Sequence, residues 1–349
     1  MNNVHPGAPI SQMFYTFIHL KMYRKDRKYP DYIIRRKLIM KKKLIAALMA
    51  GMMALSLAAC GGSKPAAEPA AEPAAEEKTE EAADPEETTE EEAAPEIKLI
   101  SDGYLTVGTS PDFAPYEFYY IGEDGTPQLA GFDIALAGRI AEELGLELKV
   151  VPMDFDGILM ELQNGNVDIG VAGFSPSPER AETFDFSDLY YMGGQSFVIR
   201  GADKDKYTDY AAFDGLPVGA QTGSIQMGLA EANTPNANIT GLPKVTDLIN
   251  ELLSGKLEGA FIETAVAEQY IKNYPDLMIA WEVPYEEAEG SAIALKKGNE
   301  GLLAAINGVI AEVLADGSMD EYITTAQEQA SDDEAVYEGM LDEEGNVQE

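Results

Sequence analysis

One cysteine and two histidines serve 349 residues, and that poverty removes whole classes of chemistry. The single thiol, Cys60, excludes a disulfide framework and any metal site built from several cysteines. Both histidines, His5 and His19, lie upstream of Met40. The rest of the chain therefore holds no Ser-His-Asp or Cys-His constellation and no His-ligated zinc. Cationic side chains are scarce too, with 25 Lys and Arg against 61 Asp and Glu for a net charge of −36. That excess argues against nucleic acid or anionic lipid as a partner, although much of it sits in the tails. There is no phosphate-cradling Gly-rich loop with a following Lys, so nucleotide hydrolysis is not expected here. Neither a metal nor a cofactor is expected.

What is present begins with Met40-Lys41-Lys42-Lys43 and the apolar run Leu44–Leu57, shorter than the ~20 residues of a spanning helix. It ends in Leu57-Ala58-Ala59-Cys60-Gly61, which resembles the bacterial lipobox. Residues 40–59 read as a lipoprotein signal peptide and Cys60 as the lipidated residue, whose diacylglyceryl and palmitate-type chains would hold the protein to a membrane. A membrane anchor that happens to contain a Cys is the competing reading. The basic residues 1–39 precede this complete signal and read as an over-extended gene start, or else as a long n-region. Residues 60–96 are rich in Ala, Pro, Glu and Thr; they cannot bury a core and read as a flexible acidic tether. The tail 331–349 is acidic and aperiodic, and reads as solvated and disordered.

Between the tails, strands alternate with helices. Leu105–Gly108 is an opening strand, Ser110–Phe118 a loop rich in Pro and aromatics, and Asp133 a cap on a helix striped by Leu136, Ile140 and Leu144. Leu146–Val151 is a strand, Gly157–Gln163 a helix, Val167–Val171 a strand. The pattern recurs: strand Val218–Ala220, turn Thr222–Ser224, helix Ile225–Ala232. Such alternation predicts an α/β fold with parallel sheets. Tyr190–Arg200 and Ser291–Lys297 are extended and flank the second copy, and Leu302–Leu314 is a late helix. The chain should leave a first lobe (97–196 plus 291–330), build a second (197–290) and return, two strands forming the hinge of a clamshell.

The stretch Gly165–Arg180 organises the rest. A strand ends in a loop carrying Gly173, Ser175 and Arg180, and loops at the carboxyl ends of strands hold ligands in open α/β sheets. The planar fork of Arg180 matches a carboxylate, unless it is a surface partner of Glu179 or Glu182. Ser175 would give its amide to that carboxylate and accept from an ammonium, unless it is a plain turn serine. A faint echo follows: Leu162–Asp168 matches Leu252–Glu258 in type and spacing, and in that register Gly173 corresponds to Glu263. Two like lobes would aim both at one cleft. The amides of Ser224 and Ile225, opening a helix, suit an anion, and Gln226 is placed to meet a ligand side chain.

The run Asp154-Phe155-Asp156-Gly157, the Leu162–Asp168 segment and Ala172-Gly173-Phe174-Ser175 with Pro178-Glu179-Arg180 resemble the polar amino-acid-binding proteins of ABC importers, the family 3 solute-binding proteins. The likeness runs from about Lys98 to about Tyr322. It implies a type II periplasmic-binding-protein fold, with Arg180 on the ligand carboxylate and Phe113 and Phe155 sandwiching the ligand, though both could be core. Glu263 falls where members usually carry Asp for the ammonium; a solvated helix cap is its other reading. Ser110 stands where members that take basic ligands often have Asp, which turns the expected ligand towards a polar uncharged or modestly apolar amino acid. Tyr116 and Phe118 read as core, and Asp133, Asp168 and Trp281 as structural.

The function expected is a monomeric receptor, tethered to the outer face of the cytoplasmic membrane, that delivers an amino acid to an ABC permease whose partner subunits hydrolyse ATP. A cyclohexadienyl-dehydratase-like enzyme with Glu263 as general acid, or a ligand-sensing module, would use the same fold.

Overall fold

The computed structural model describes residues 95–122, 125–285 and 290–331, with the backbone of Val336–Tyr337. The expected upstream extension, signal peptide, Cys60 and most of the tether lie outside the described residues. In chain order the first half holds β1 (Tyr104–Thr109), β2 (Asp112–Phe113), β3 (Glu117–Ile121), β4 (Pro127–Ala130), α1 (Phe132–Glu143), β5 (Glu147–Pro152), α2 (Phe155–Asn164), β6 (Ile169–Gly170), the single turn α3 (Pro178–Ala181) and β7 (Phe184–Phe186). The second half holds β8 (Gln195–Arg200), β9 (Pro217–Gln221), α4 (Ile225–Asn233), β10 (Asn238–Leu242), α5 (Val245–Leu253), β11 (Gly259–Glu263), α6 (Thr264–Asn273) and β12 (Leu277–Val283). The chain then returns through β13 (Ala294–Lys296), α7 (Glu300–Asp316), α8 (Ser318–Ala330) and β14 (Val336–Tyr337).

Two five-stranded sheets share one topology, in the orders β5-β1-β6-β13-β7 and β10-β9-β11-β8-β12. In each, three parallel strands meet an antiparallel strand from one of the two segments that cross between the halves, β13 in the first sheet and β8 in the second. Where the chain crosses, Tyr191 bridges Ser291 and the Tyr190 amide donates to the Ser291 carbonyl at 3.0 Å. These are the paired strands of a two-lobe clamshell.

The internal echo holds in three dimensions. Gly165 and Gly255 both take positive φ, 78° and 76°, the left-handed conformation that ends a helix at little cost to glycine. Their amides return to Leu162 and Leu252. The following strands keep the same register, Ile169 and Gly170 on Val107 and Gly108, Gly259 and Ala260 on Val218 and Gly219. Loop Gly173–Arg180 and Glu263 thus leave equivalent strand ends.

Several local expectations change. The loop Ser110–Phe118 contains β2 and the start of β3, which pair as a hairpin. Asp133 does not cap its helix: Gly131 does, at φ 116°, because a Cβ there would sit 2.0 Å from the Tyr116 carbonyl oxygen. Only Ile169–Gly170 of the predicted strand Val167–Val171 pair as strand. Helix α8 was not anticipated; its face is mostly polar and only Met319, Ala326 and Ala330 are buried. The tail is not wholly solvated, since Val336–Tyr337 pair with Tyr119 and Tyr120. Asp168 is structural as expected, accepting from the amides of Ile100 and Thr106 at 2.8 Å each.

The second core packs an aromatic cluster against a glycine: a Cβ on Gly259 would fall 2.2 Å from Phe197 Cζ. Overpacking of this kind costs about 1–3 kcal/mol. Gly259→Ala should lose that much in urea unfolding, and a change within about 0.5 kcal/mol contradicts the packing described.

Candidate functional site

A cavity between the lobes is lined from the first by Phe113, Tyr116, Phe155, Gly173, Ser175 and Arg180. The second lobe and the crossing strands add Gln195, Gln221, Ser224, Ile225, Gln226 and Glu263. Nine of the ten residues expected at a ligand site therefore converge. Ser110 does not. It is buried beside the cavity, and its hydroxyl donates to Asp112 Oδ1 at 2.8 Å.

Arg180 sits in the single turn α3, whose cap Ser177 accepts from the Arg180 amide. Its guanidinium packs over the rings of Phe155 and Phe174, 5.8 and 5.6 Å from their centroids, and those two rings stack at 4.9 Å. One arm donates to the Ser175 carbonyl and the other crosses to the Gly223 carbonyl of the second lobe, both at 3.0 Å. Among the described residues no carboxylate pairs with it, so the surface ion-pair reading with Glu179 or Glu182 fails. Burial pulls the guanidinium below its usual value, with Tyr285 and Glu179 partly opposing; an Arg remains a cation there.

Glu263 is the opposite pole. It ends β11 and caps α6, accepting from the Val266 amide at 3.0 Å and the Gly194 amide at 3.4 Å. It is a cap, but a buried one, 5% exposed. Burial raises its carboxyl from 4.5 to about 7, against the pull of the Val266 and Gly194 amides. The crossing strand passes so near that a Cβ on Gly193 would lie 2.6 Å from Glu263 Oε1 and 3.2 Å from the Tyr116 hydroxyl. Tyr116 is thus more than core: its ring is buried and its hydroxyl faces the acid.

Gly173 lines the cavity, and its amide donates to Asp133 Oδ2 at 2.9 Å, at φ 56°. One backbone expectation is corrected. The Ser224 amide closes its own turn onto the Gln221 carbonyl, which leaves Ile225, at the first position of α4, where amides have no intrahelical acceptor. Sequence reasoning also missed Gln195 and Gln221. Gln195 accepts from Gln226 Nε2 at 2.8 Å and Gln221 donates to the Pro243 carbonyl at 3.1 Å. They end β9 and begin β8, positions that only the sheet order brings together.

The family of bacterial extracellular solute-binding proteins, family 3, matches residues 105–325. The chain belongs to that family. This solute-binding protein is extracytoplasmic by membership, and it resembles the arginine-binding extracellular protein ArtP of Bacillus subtilis, 34% identical over 62% of this chain and 83% of that protein. It also resembles the substrate-binding protein AbpA of Streptococcus pneumoniae bound to L-arginine, with TM-score 0.63 and 35% identity over 66% of this chain and 97% of that one. A third likeness is to AncCDT-1, an ancestral amino-acid-binding protein and precursor of cyclohexadienyl dehydratase, with TM-score 0.57 and 30% identity over 64% of this chain and 95% of that one.

The raised acid gives the solute-binding protein a pH signature. A carboxyl held neutral by burial contributes stability below its unfolded value near 4.5 and loses it as pH rises through about 7. Relative to Glu263→Gln, the unfolding free energy of the wild type should fall by on the order of 1–3 kcal/mol across that window. A difference that does not change with pH contradicts the burial of an ionisable group at this position.

Proposed function

We propose that the protein captures a free amino acid in this cavity and delivers it to an ABC importer. The observation that carries the reading is that Arg180 and Glu263, one half-buried cation and one buried acid from opposite lobes, line the same enclosed space. A zwitterion brings a carboxylate and an ammonium, and burying both requires a partner for each. Arg180, with the Ser175 and Ile225 amides, serves the carboxylate. Glu263, with the Tyr116 hydroxyl beside it, serves the ammonium. Phe113 and Phe155 enclose the aliphatic part.

The ligand side chain then meets Gln195, Gln221 and Gln226, which offer amide oxygens and nitrogens. The argument against a basic ligand rested on Ser110, and Ser110 is not in the lining. L-arginine therefore becomes the first amino acid to test, supported by the relatives named for it and by amide carbonyls able to accept from a guanidinium. Lipidation at Cys60 would keep the receptor at its permease, and we assign that role to Cys60 on the lipobox resemblance.

The enzymatic alternative has one observation in its favour: Glu263, near neutrality in a closed cleft, has the protonation of a general acid. Catalysis does not need tethering at a membrane and delivery does, so the receptor reading stands first. Turnover of prephenate or arogenate by the purified protein would reverse that order.

A thermal-shift panel of amino acids tests the receptor reading, since ligand at ~100-fold over Kd adds about 2.7 kcal/mol of stability. Arginine or another polar amino acid should raise Tm, and Arg180→Ala or Glu263→Ala should abolish the shift. No shift with any amino acid, or an unchanged shift in Arg180→Ala, overturns it. In cells, Cys60→Ser should move the protein from the membrane to the soluble fraction; unchanged membrane recovery contradicts the lipid anchor.

A further inference from the structure

Beside the cavity lies a pair of acids that the binding scheme does not use. Glu117, on β3, and Asp133, in the first turn of α1, are both 0% exposed. The backbone forces them together: the amides of Phe132 and Asp133 donate to the carbonyls of Pro115 and Tyr116 at 3.1 and 2.9 Å, and Gly131 supplies the close approach. Asp133 Oδ2 accepts twice, from the Gly173 amide of the ligand loop and from the hydroxyl of Tyr190 at the crossing strand, each at 2.9 Å. Asp133 Oδ1 and both Glu117 oxygens are buried and make no close hydrogen bond among the described residues, the Ser110 amide being the donor near Glu117.

Two adjacent carboxylates cannot both stay ionised in a site without water. Three buried carboxyl oxygens without close hydrogen bonds carry a further desolvation cost. One proton between Glu117 and Asp133 Oδ1 removes the repulsion and pairs two of the three oxygens, leaving the second Glu117 oxygen to the nearby Ser110 amide. We propose that Glu117 and Asp133 hold this single proton between them and act as a positioning unit, neutral Glu117 donating to ionised Asp133, which fixes the Gly173 turn and the Tyr190 crossing strand. Burial and mutual repulsion hold the pair's proton above the ordinary carboxylate range. The other titratable groups facing it are Asp112 on β2, whose charge favours keeping the proton, and Tyr190, whose hydroxyl donates to Asp133 and stabilises that carboxylate as the ionised partner.

The inference rests on the ligand site being where it is described, but its test needs no ligand. Infrared spectra of the full chain at about pH 8, above the values of Asp112 and Glu263, should show the carbonyl stretch of a protonated carboxylic acid, and E117Q should remove it. An amide at 117 still donates to Asp133, so E117Q should keep Tm within about 2 °C and keep Gly173 protected in hydrogen exchange. E117A should lower Tm by more than about 5 °C and expose the 171–177 peptide to exchange. Absence of a carboxylic band that E117Q removes overturns the proposal. So does an E117Q protein as unstable and as exposed at 171–177 as E117A.

Discussion

The guanidinium of Arg180 is held at the same time by a carbonyl of its own lobe and by one of the other. Its arms end on Ser175 and Gly223, and Gly223 is a glycine at φ 75° whose Cβ would fall 2.8 Å from Asp156. A cation withdrawn from water must be surrounded by oxygen, so the lobes meet at the guanidinium that we propose receives the ligand's carboxylate. The same closure places the Asp112 carboxylate on the Val245 amide that opens α5, with the Tyr270 hydroxyl donating to the Asp112 carbonyl.

Electrostatics then divide the labour. Arg180 remains charged in spite of burial because no side chain in proteins is harder to deprotonate. Glu263 does not have that security, and sits near neutrality until a cation approaches. An arriving ammonium would restore its charge, so capture of an amino acid at neutral pH should be coupled to release of a proton. The paired acids Glu117 and Asp133 lie behind the ligand loop rather than in it, which separates holding the loop from touching the ligand.

Much of this was legible in the chain. A helix-ending glycine followed by a short apolar strand is a local pattern, and it occurs twice in one register, so Gly173 and Glu263 could be aligned before any sheet was known. Arg180 and Ser175 followed from the loop after that strand. The parts that escaped depend on long-range geometry. Gln195 and Gln221 belong to strands whose order in the sheet no window reveals. Tyr116 read as core because its ring is core; only the nearness of Gly193 and Glu263 shows what its hydroxyl meets. Ser110 was misjudged because Asp112, two residues on, takes its hydroxyl. Helix α8 has little apolar periodicity to announce it, and forms because Met319, Ala326 and Ala330 pack on the first lobe.

The central claim is that opposite charges on the two lobes clasp the two ends of a zwitterion. Calorimetric titration with the amino acid that stabilises the protein, alongside its carboxamide and its N-acetyl derivative, tests this directly. Each derivative loses charge-assisted hydrogen bonds of roughly 1.5–3 kcal/mol apiece and should bind at least about tenfold more weakly. A carboxamide or N-acetyl derivative that binds as tightly as the free amino acid would contradict the account.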